Sequence, residues 1–444
     1  MCPTESGPAH LEEARGDQDP PTDPPLETTI GRRLVCGRLG DGRSKSGLDT
    51  WRGFQMRVGL VSPYDFATAG GVNDHVRHLA VQLQKAGHET RIFAPSSRSD
   101  VGFDAARFYR IGTPIAIPAN DSVARITLSF HLANQVAAIV ADERFDVLHF
   151  HEPLMPALPM TMLRMSTTAN VGTFHAFAHS NIGYYYGRPL LQPYLAHLHR
   201  AIAVSEPARD FVTRYFPDFP MRVIPNGIDL NVYKPGLAPI RHLRDENLNI
   251  LFVGRLEKRK GLGDLLRAYR TLSTRVPETR LIIVGDGPQR GRVESFVARH
   301  RLTNVILAGY VPDSVKPRYY NSADIFCAPA TGAESFGIVL LEALASALPV
   351  VATEVPGYMS VLEPGRDSIT VPPKNWRELA ASLVILARDG ELRRRLGDYG
   401  VQKARRYSWE TVAGQVVEVY HEARRALAAQ PATEMEVTGV HHAV

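Results

Sequence analysis

From Met56 onward the chain alternates short apolar runs with longer stretches of helical period, and it does so twice over. The first series has apolar runs at 57–62, 90–95, 145–150, 170–175, 200–205 and 221–225, with helical stretches near 72–86, 122–142, 189–199 and 206–215. A second series follows at 248–254, 279–285, 305–308, 323–328, 348–353 and 368–371, with helical stretches near 263–275, 289–300, 335–346 and 376–388. Short apolar runs separated by helices are the signature of a parallel sheet buried on both faces. The expectation is an α/β protein with two doubly wound domains, 56–225 and 226–405. The boundary falls between the turn Pro225-Asn226-Gly227 and Leu248, where Pro, Gly and mixed charges break the period. A closing helix within 406–428 is expected to return to the N-terminal domain, and 429–444 reads as a disordered tail.

Residues 1–55, rich in Pro, Gly and charged side chains without a sustained apolar period, read as a disordered extension. Translation starting at Met56 is an alternative expectation that the intact mass of the native protein would decide. A composition of 44% hydrophobic and 22% charged residues is that of a soluble globular chain. The 51 Lys and Arg against 46 Asp and Glu are scattered, which gives no case for nucleic acid. Three cysteines, Cys2, Cys36 and Cys327, lack metal-ligand spacing and suit a reducing compartment. No apolar run reaches the length of a membrane span and no apolar export signal opens the chain, so a cytoplasmic location is expected.

Open α/β sheets bind ligands beyond the C-terminal ends of their strands, so chemistry is sought there. After the run 323–329, Glu334 sits at a strand-to-helix turn and Glu342 lies two turns into the helix expected at 335–346. At 1.5 Å per residue they are separated by roughly 12 Å along the axis, too far to act as an acid and base on one bond but suited to two ends of one ligand. The run 250–254 leads into Arg255-Leu256-Glu257-Lys258-Arg259-Lys260-Gly261, four cations beside a helix start that suit a phosphate or diphosphate, or form a solvated basic loop. Gly70-Gly71-Val72 opens the first helix, where close backbone approach and unpaired amides suit an anion; a plain glycine turn is the simpler reading. No dinucleotide-binding glycine fingerprint follows that strand, and Gly285-Asp286-Gly287 with Gly291 has the wrong last spacing. His151 and His175 close two strands, positions where an imidazole can donate a hydrogen bond or take a proton. Asn120, Ser122 and Arg125, at the start of the helix expected at 122–142, could hold an anionic head group or serve only as a cap.

Together these segments resemble the family-4 retaining glycosyltransferases of the GT-B fold, two Rossmann-like domains facing across a cleft. The likeness runs from Met56 to about Tyr420. It is carried by Gly332-Ala333-Glu334-Ser335-Phe336-Gly337-Ile338 with Glu342, by Arg255 with Lys260, and by Pro225-Asn226-Gly227-Ile228-Asp229. The resemblance implies that Arg255 and Lys260 bind the donor diphosphate, Glu334 the transferred sugar and Glu342 the ribose. It also places Ser335, Phe336, Gly337 and Ile338 at the nucleotide-sugar, Gly70 and Gly71 opposite the diphosphate, and His175 beside the reacting sugar. Within the family the chain is similar to bacterial phosphatidylinositol mannosyltransferases, which use GDP-mannose. Ser62-Pro63-Tyr64, His151-Glu152-Pro153, Thr173-Phe174-His175 and Asn120-x-Ser122-Val-Ala-Arg125 carry that narrower likeness, which implies acceptor contacts from Tyr64, Asn120, Ser122 and Arg125. Three departures stand out: Ala119 replaces an aromatic residue, the stretch 126–140 lacks a basic run, and the cationic loop is one residue short.

The expected activity is therefore retaining hexosyl transfer, with mannose from GDP-mannose moving to a phosphatidylinositol-like acceptor. Closure of the cleft would exclude water, and a donor phosphate oxygen would take the acceptor proton while His175 assists. No tightly bound cofactor and no metal site are expected; the need for a divalent cation, the base of the nucleotide and the oligomeric state are left open. Peripheral contact with the inner face of the cell membrane would accompany a lipid acceptor. The competing readings are another nucleotide-sugar with a soluble or other glycolipid acceptor, a nucleotide-sugar 2-epimerase, and a silent binding protein.

Overall fold

The structure is a computed structural model that describes residues 55–430 apart from 69, 100, 120–121, 128–131 and 179–181. The expectations for the leading segment up to residue 54, for the tail from 431 and for Asn120 lie outside the described residues. Among the described residues, nine strands belong to the first half: β1 (Arg57–Val61), β2 (Glu89–Ala94), β3 (Phe108–Arg110), β4 (Ile115–Ala119), β5 (Ser122–Ile126), β6 (Val147–His151), β7 (Ala169–Phe174), β8 (Arg200–Ala203) and β9 (Arg222–Val223). Seven form one parallel sheet in the order β3-β2-β1-β6-β7-β8-β9, and β4 pairs with β5 in an antiparallel hairpin. Six more, β10 (Leu248–Val253), β11 (Thr279–Val284), β12 (Val305–Gly309), β13 (Ile325–Ala328), β14 (Val350–Thr353) and β15 (Ser368–Val371), form a second parallel sheet, β12-β11-β10-β13-β14-β15.

The central strands explain the apolar runs. Val58 is in register with Thr90 on one side and Val147 on the other, and Ile250 with Leu281 and Ile325. A strand paired on both edges and covered on both faces has no position for a solvated side chain, so β1 and β10 are apolar almost throughout. The chain order reverses between β1 and β6 and again between β10 and β13. Each reversal opens a crevice beyond the strand ends, where the two flanking connections leave on opposite faces.

One face of the first sheet is covered by helix Gly71–Lys85 and by the final helix, Trp409–Ala428. Trp409, Val412, Val416, Tyr420 and Ala423 recur at three- and four-residue spacing on its buried stripe, and the Ser408 hydroxyl caps its start by accepting from the Thr411 amide. Its approach is pinned where the chain crosses: Ile228 donates to the Tyr407 carbonyl and Trp409 donates back to the Ile228 carbonyl. Both sheets belong to one compact unit. Ala203, Val204 and Ala208 pack into the same apolar cluster as Phe336, Leu340 and Tyr358, and the Ser205 hydroxyl donates to the Ser335 carbonyl.

Three local expectations are corrected. The helix expected at 122–142 is strand β5 followed by helix Ala133–Glu143, because the apolar residues 115–119 pair antiparallel with 122–126 before that helix starts. The helix expected at 189–199 runs Ile182–Ala196 and passes through Pro189 and Pro193, whose missing amides cost least on a solvated face. The helix expected at 335–346 is Ile338–Ala345; Gly337, at φ 101°, holds the left-handed turn that delays it, and a Cβ there would lie 2.7 Å from Tyr358 Cδ1.

Candidate active site

Both crevices open onto one cleft of about 600 Å³, lined by residues of each half. The first sheet supplies Gly70 and Gly71, beyond β1, and His175, beyond β7. Gly70 caps helix Gly71–Lys85, whose first carbonyl-bonded amide is that of Asp74, so the amides before it remain available to an acceptor. A Cβ added at Gly70 would meet nothing within 4 Å, and one at Gly71 would meet Ile338 Cδ1 at 3.5 Å, so the glycine turn faces open cleft beside the opposite domain.

The second sheet supplies the charged residues. Beyond β10, the turn Lys258–Lys260 delivers two cations to one carboxylate: Arg259 Nη1 lies 2.6 Å and Lys260 Nζ 2.7 Å from Glu334 Oε1. Arg259 also donates to the Ala333 carbonyl at 3.1 Å and contacts buried Glu257 at 2.9 Å, while Arg255 reaches Glu257 at 3.2 Å. Arg255 is the more exposed of these cations, with about half of its side chain open to solvent. Glu334 is buried, and Ala333 before it takes φ 54°, an uncommon conformation for a non-glycine residue.

Glu342 is held by a separate set. Tyr320 donates to its Oε2 at 2.6 Å and Lys316 Nζ lies 3.0 Å from its Oε1 and 3.2 Å from Asp313. Burial alone would pull the Lys316 ammonium toward neutrality, but Glu342, Tyr233 and Asp313 outweigh it and hold the group firmly charged. Because Glu334 precedes the helix and Glu342 lies about one turn inside it, the separation estimated along a continuous helix does not apply; both carboxylates nevertheless line the same cleft.

The histidines form a buried group beneath the cleft. His151 Nδ1 lies 3.0 Å from His175 Nε2, His75 Nδ1 lies 2.8 Å from Asn226 Oδ1, and His149 bridges Tyr420 and Thr173. Burial, reinforced by neighbouring imidazoles, pushes His151 and His175 well below the ordinary histidine range. Donor atoms of His75, His151 and His175 come within 4.8 Å of one another, a grouping that the wide spacing of these residues in sequence does not show. Glu152, at φ 53°, accepts from the backbone amides of His175 and Ala176 at 2.7 Å each, and burial pushes its carboxyl up to about 7 against those two bonds.

The residues expected at the nucleotide-sugar, Gly70, Gly71, His175, Arg255, Lys260, Glu334, Ser335, Phe336, Gly337, Ile338 and Glu342, all line the cleft. The residues expected at the acceptor are placed differently. Asn120 and the side chain of Ser122 fall outside the described residues, and exposed Arg125 lies on a strand, so the helix-start anion site inferred for this segment is not there. Tyr64 pairs with Ile126, and the Asp65 amide donates to the Arg125 carbonyl, which joins that hairpin to the end of β1. Among the described residues lining the cleft, neither Tyr64 nor Arg125 is found. Sequence reasoning missed Arg259 as a partner of Glu334, the Lys316 and Tyr320 pair on Glu342, and the clamp from Glu152.

Comparison with known proteins now decides the family. Residues 69–232 match the model described as Glycosyltransferase Family 4, and residues 238–403 match Glycosyl transferases group 1. A phosphatidyl-myo-inositol mannosyltransferase of Mycobacterium leprae is 36% identical over 371 residues, covering 82% of this chain and 96% of that protein. The chain belongs to the family-4 glycosyltransferases. A D-inositol 3-phosphate glycosyltransferase of Corynebacterium urealyticum is 27% identical, covering 82% and 95%. The fold of this glycosyltransferase is that of sucrose-phosphate synthase from Thermosynechococcus elongatus, with a TM-score of 0.63 at 22% identity, covering 85% of this chain and all of that one. The two parallel sheets facing one cleft are thus the GT-B architecture.

Proposed function

We propose that this glycosyltransferase moves a mannosyl group from GDP-mannose to a ring hydroxyl of phosphatidylinositol, with retention at the anomeric carbon. One observation supports the reading above others: the cleft gathers two separately anchored carboxylates, a cationic turn, a glycine-capped helix start and a buried histidine, a set long enough in chemistry for sugar, diphosphate and ribose. The mannosyltransferase relatives, at 33 to 36% identity, favour mannose and phosphatidylinositol over other pairs.

In this reading the bond between the sugar C1 and the β-phosphate oxygen breaks, and its electrons leave with GDP. Arg255, Lys260 and the helix amides behind Gly70 stabilise the charge that develops there. The acceptor oxygen bonds to C1 on the face the phosphate leaves, and its proton passes to the departing phosphate oxygen. Glu334 holds the sugar hydroxyls, Glu342 the ribose, and His175 donates a hydrogen bond near the reacting centre. No tightly bound cofactor takes part, the enzyme works in the cytoplasm, and it meets its lipid at the inner face of the membrane by peripheral contact. Among the described residues no helix is long and apolar enough to cross a membrane.

The test is a panel of GDP-mannose, UDP-glucose and UDP-N-acetylglucosamine against phosphatidylinositol vesicles and soluble inositol phosphate, with products identified by mass. Mannosylated phosphatidylinositol and GDP are the expected products. Transfer only to the soluble acceptor would move the protein toward the reading that its Corynebacterium relative favours, and isomerisation of the donor without transfer would point to an epimerase. Glu334→Gln should lower transfer by at least about tenfold, the worth of one charge-assisted hydrogen bond; an unchanged rate would remove Glu334 from the site.

A further inference from the structure

We propose that His151 is a positioning residue: its Nδ1–H donates to His175 Nε2 and so fixes His175 as the tautomer that presents an Nδ1–H donor to the cleft. This rests on the cleft being the glycosyl-transfer site, but the tautomer itself follows from hydrogen-bond accounting. A neutral imidazole carries one N–H, so a 3.0 Å contact between two ring nitrogens leaves two arrangements. Either His151 Nδ1 donates to His175 Nε2, or His175 Nε2 donates to His151 Nδ1.

The buried far side of His151 separates them. His151 Nε2 is buried and has no hydrogen-bond partner among the described residues. If His151 accepted at Nδ1, its single proton would sit on Nε2 and leave an N–H donor buried without an acceptor. If His151 donates from Nδ1, only a lone pair is left unpaired, and buried orphaned N–H donors are the rarer of the two. His75 repeats the pattern: its Nδ1 faces the Asn226 carbonyl oxygen and must donate, while its Nε2 is likewise buried without a partner. Both rings therefore keep their protons on Nδ1 and bury bare lone pairs.

The consequence passes to His175. With Nε2 accepting from His151, its own proton is on Nδ1, and since His175 lines the cleft and its Nδ1, unlike His151 Nε2, is not a buried atom without a partner, Nδ1 is the nitrogen left for a ligand. His175 then gives a hydrogen bond to the sugar or to negative charge developing beside it, and does not serve as a base. Its backbone is fixed as well, because Glu152 accepts from its amide at 2.7 Å. The ring that does the fixing is itself confined: His149 packs against His151 with centroids 4.4 Å apart and the rings tilted by 33°, and His149 is tied to Tyr420 of the final helix. A donor aimed from a rigid support needs no reorganisation when charge develops, which is the condition for strong transition-state stabilisation.

The deciding measurement needs no substrate. In protein labelled with ¹⁵N-histidine, long-range ¹⁵N–¹H correlation at pH 7, assigned with His175→Gln and His151→Asn, should show His175 protonated at Nδ1 and bare at Nε2, and His151 protonated at Nδ1. His175 protonated at Nε2 overturns the proposal, as does a stoichiometric metal ion found by elemental analysis on the three imidazoles. Kinetics supply the second readout with GDP-mannose and phosphatidylinositol. His151→Leu should lower kcat about tenfold, the worth of one misdirected hydrogen bond, with little change in donor KM. His151→Asn, whose amide N–H can take the place of Nδ1–H, should recover most of it. An Asn variant as slow as the Leu variant at equal thermal stability refutes the positioning role. Absence of turnover with any donor in the wild type, alongside the expected spectrum, would count against the transferase reading alone.

Discussion

Acid should destabilise this fold more steeply than its carboxylates alone would allow, because four imidazoles are held neutral in one buried group. Burial pushes His75 down to about 4 and His149 to about 3, and pushes His151 and His175 well below the ordinary range. In the unfolded chain each returns to a pKa of about 6.5, so near pH 5 each binds close to one proton when unfolded and almost none when folded. Two carboxyls act in the opposite sense: burial raises Asp74 to about 6 and Glu152 to about 7, so the fold binds a proton on each where the unfolded chain binds little. Four protons favour the unfolded state and two the native, a net of about two, so these six groups alone should lower stability by about 2.7 kcal/mol for each pH unit lost between 6 and 5; His78, His88, His199 and His421, also pushed down by burial, act in the same sense. Above about pH 8 all six groups have nearly the same protonation in both states and their contribution to the slope should vanish. The assay is urea unfolding followed by near-UV circular dichroism from pH 5 to 8, read as the transition midpoint at constant m-value. His75→Gln should take about 1.4 kcal/mol per unit out of the slope, one proton's worth. A midpoint that is flat or rises from pH 7 to 5 would show that these rings are not buried and neutral, and would refute the reasoning.

Further outcomes concern the cleft. Lys316→Met removes the cation beside buried Glu342, leaving the neutral Tyr320 and Tyr233 hydroxyls next to it, and should cost about 3 kcal/mol, the low end for breaking a buried pair because a fifth of the lysine side chain is exposed; calorimetry should show the loss, and addition of Glu342→Gln should recover part of it. Gly261→Ala should cost about 2–4 kcal/mol, since the residue sits at φ 72° and its Cβ would fall 1.8 Å from the Pro329 carbonyl oxygen; under the proposed function, displacement of the cationic turn should appear as weaker GDP binding by titration calorimetry. Glu152→Gln keeps an acceptor for the His175 and Ala176 amides but removes a native-state proton site, so urea midpoints should show a slope steeper by about 1.4 kcal/mol per unit between pH 5 and 6.

The sheet strands were legible because their neighbours leave them no choice: β1, β6, β10 and β13 are enclosed on both faces and both edges, so their residues carry the pattern whole. The hairpin of β4 and β5 was not, because it pairs in a sheet of only two strands among the described residues and its short apolar run 115–119 gives too little length to separate strand from helix. Part of the site was equally open to reading. Glu334, Arg255, Lys260 and His175 each follow the C-terminal end of a strand, where the rule for parallel sheets directs attention. Lys316 obeys the same rule at β12, and applying it to that strand would have found the residue. Glu152 and His151 could be seen as polar residues in an apolar run, but whether a buried imidazole donates or accepts depends on partners 24 residues away.

The charges of the cleft carry the last step. Its lining holds four cations, Arg255, Arg259, Lys260 and Lys316, against five carboxylates, Asp74, Asp286, Asp313, Glu334 and Glu342. Such a cleft has no excess of positive charge to draw in a diphosphate from a distance, and at physiological salt screening shortens the reach of exposed charges to about 8 Å. Selectivity must come from where the charges are fixed. Three cations converge on Glu257 and Glu334, whereas Glu342 and Asp313 share Lys316. The cationic group suits an anion and the more acidic group suits hydroxyls, so the two differ as acceptor and donor surfaces even though the sum is near neutral. Lys260 is already bonded to Glu334 at 2.7 Å, so a diphosphate that engages it must share or replace that contact while a sugar hydroxyl takes up the carboxylate. A ligand bearing both groups side by side compensates both partners at once, whereas inorganic phosphate or a free hexose breaks the pair and compensates one. Under the proposed function, the arrangement therefore favours an intact nucleotide-sugar over either of its fragments.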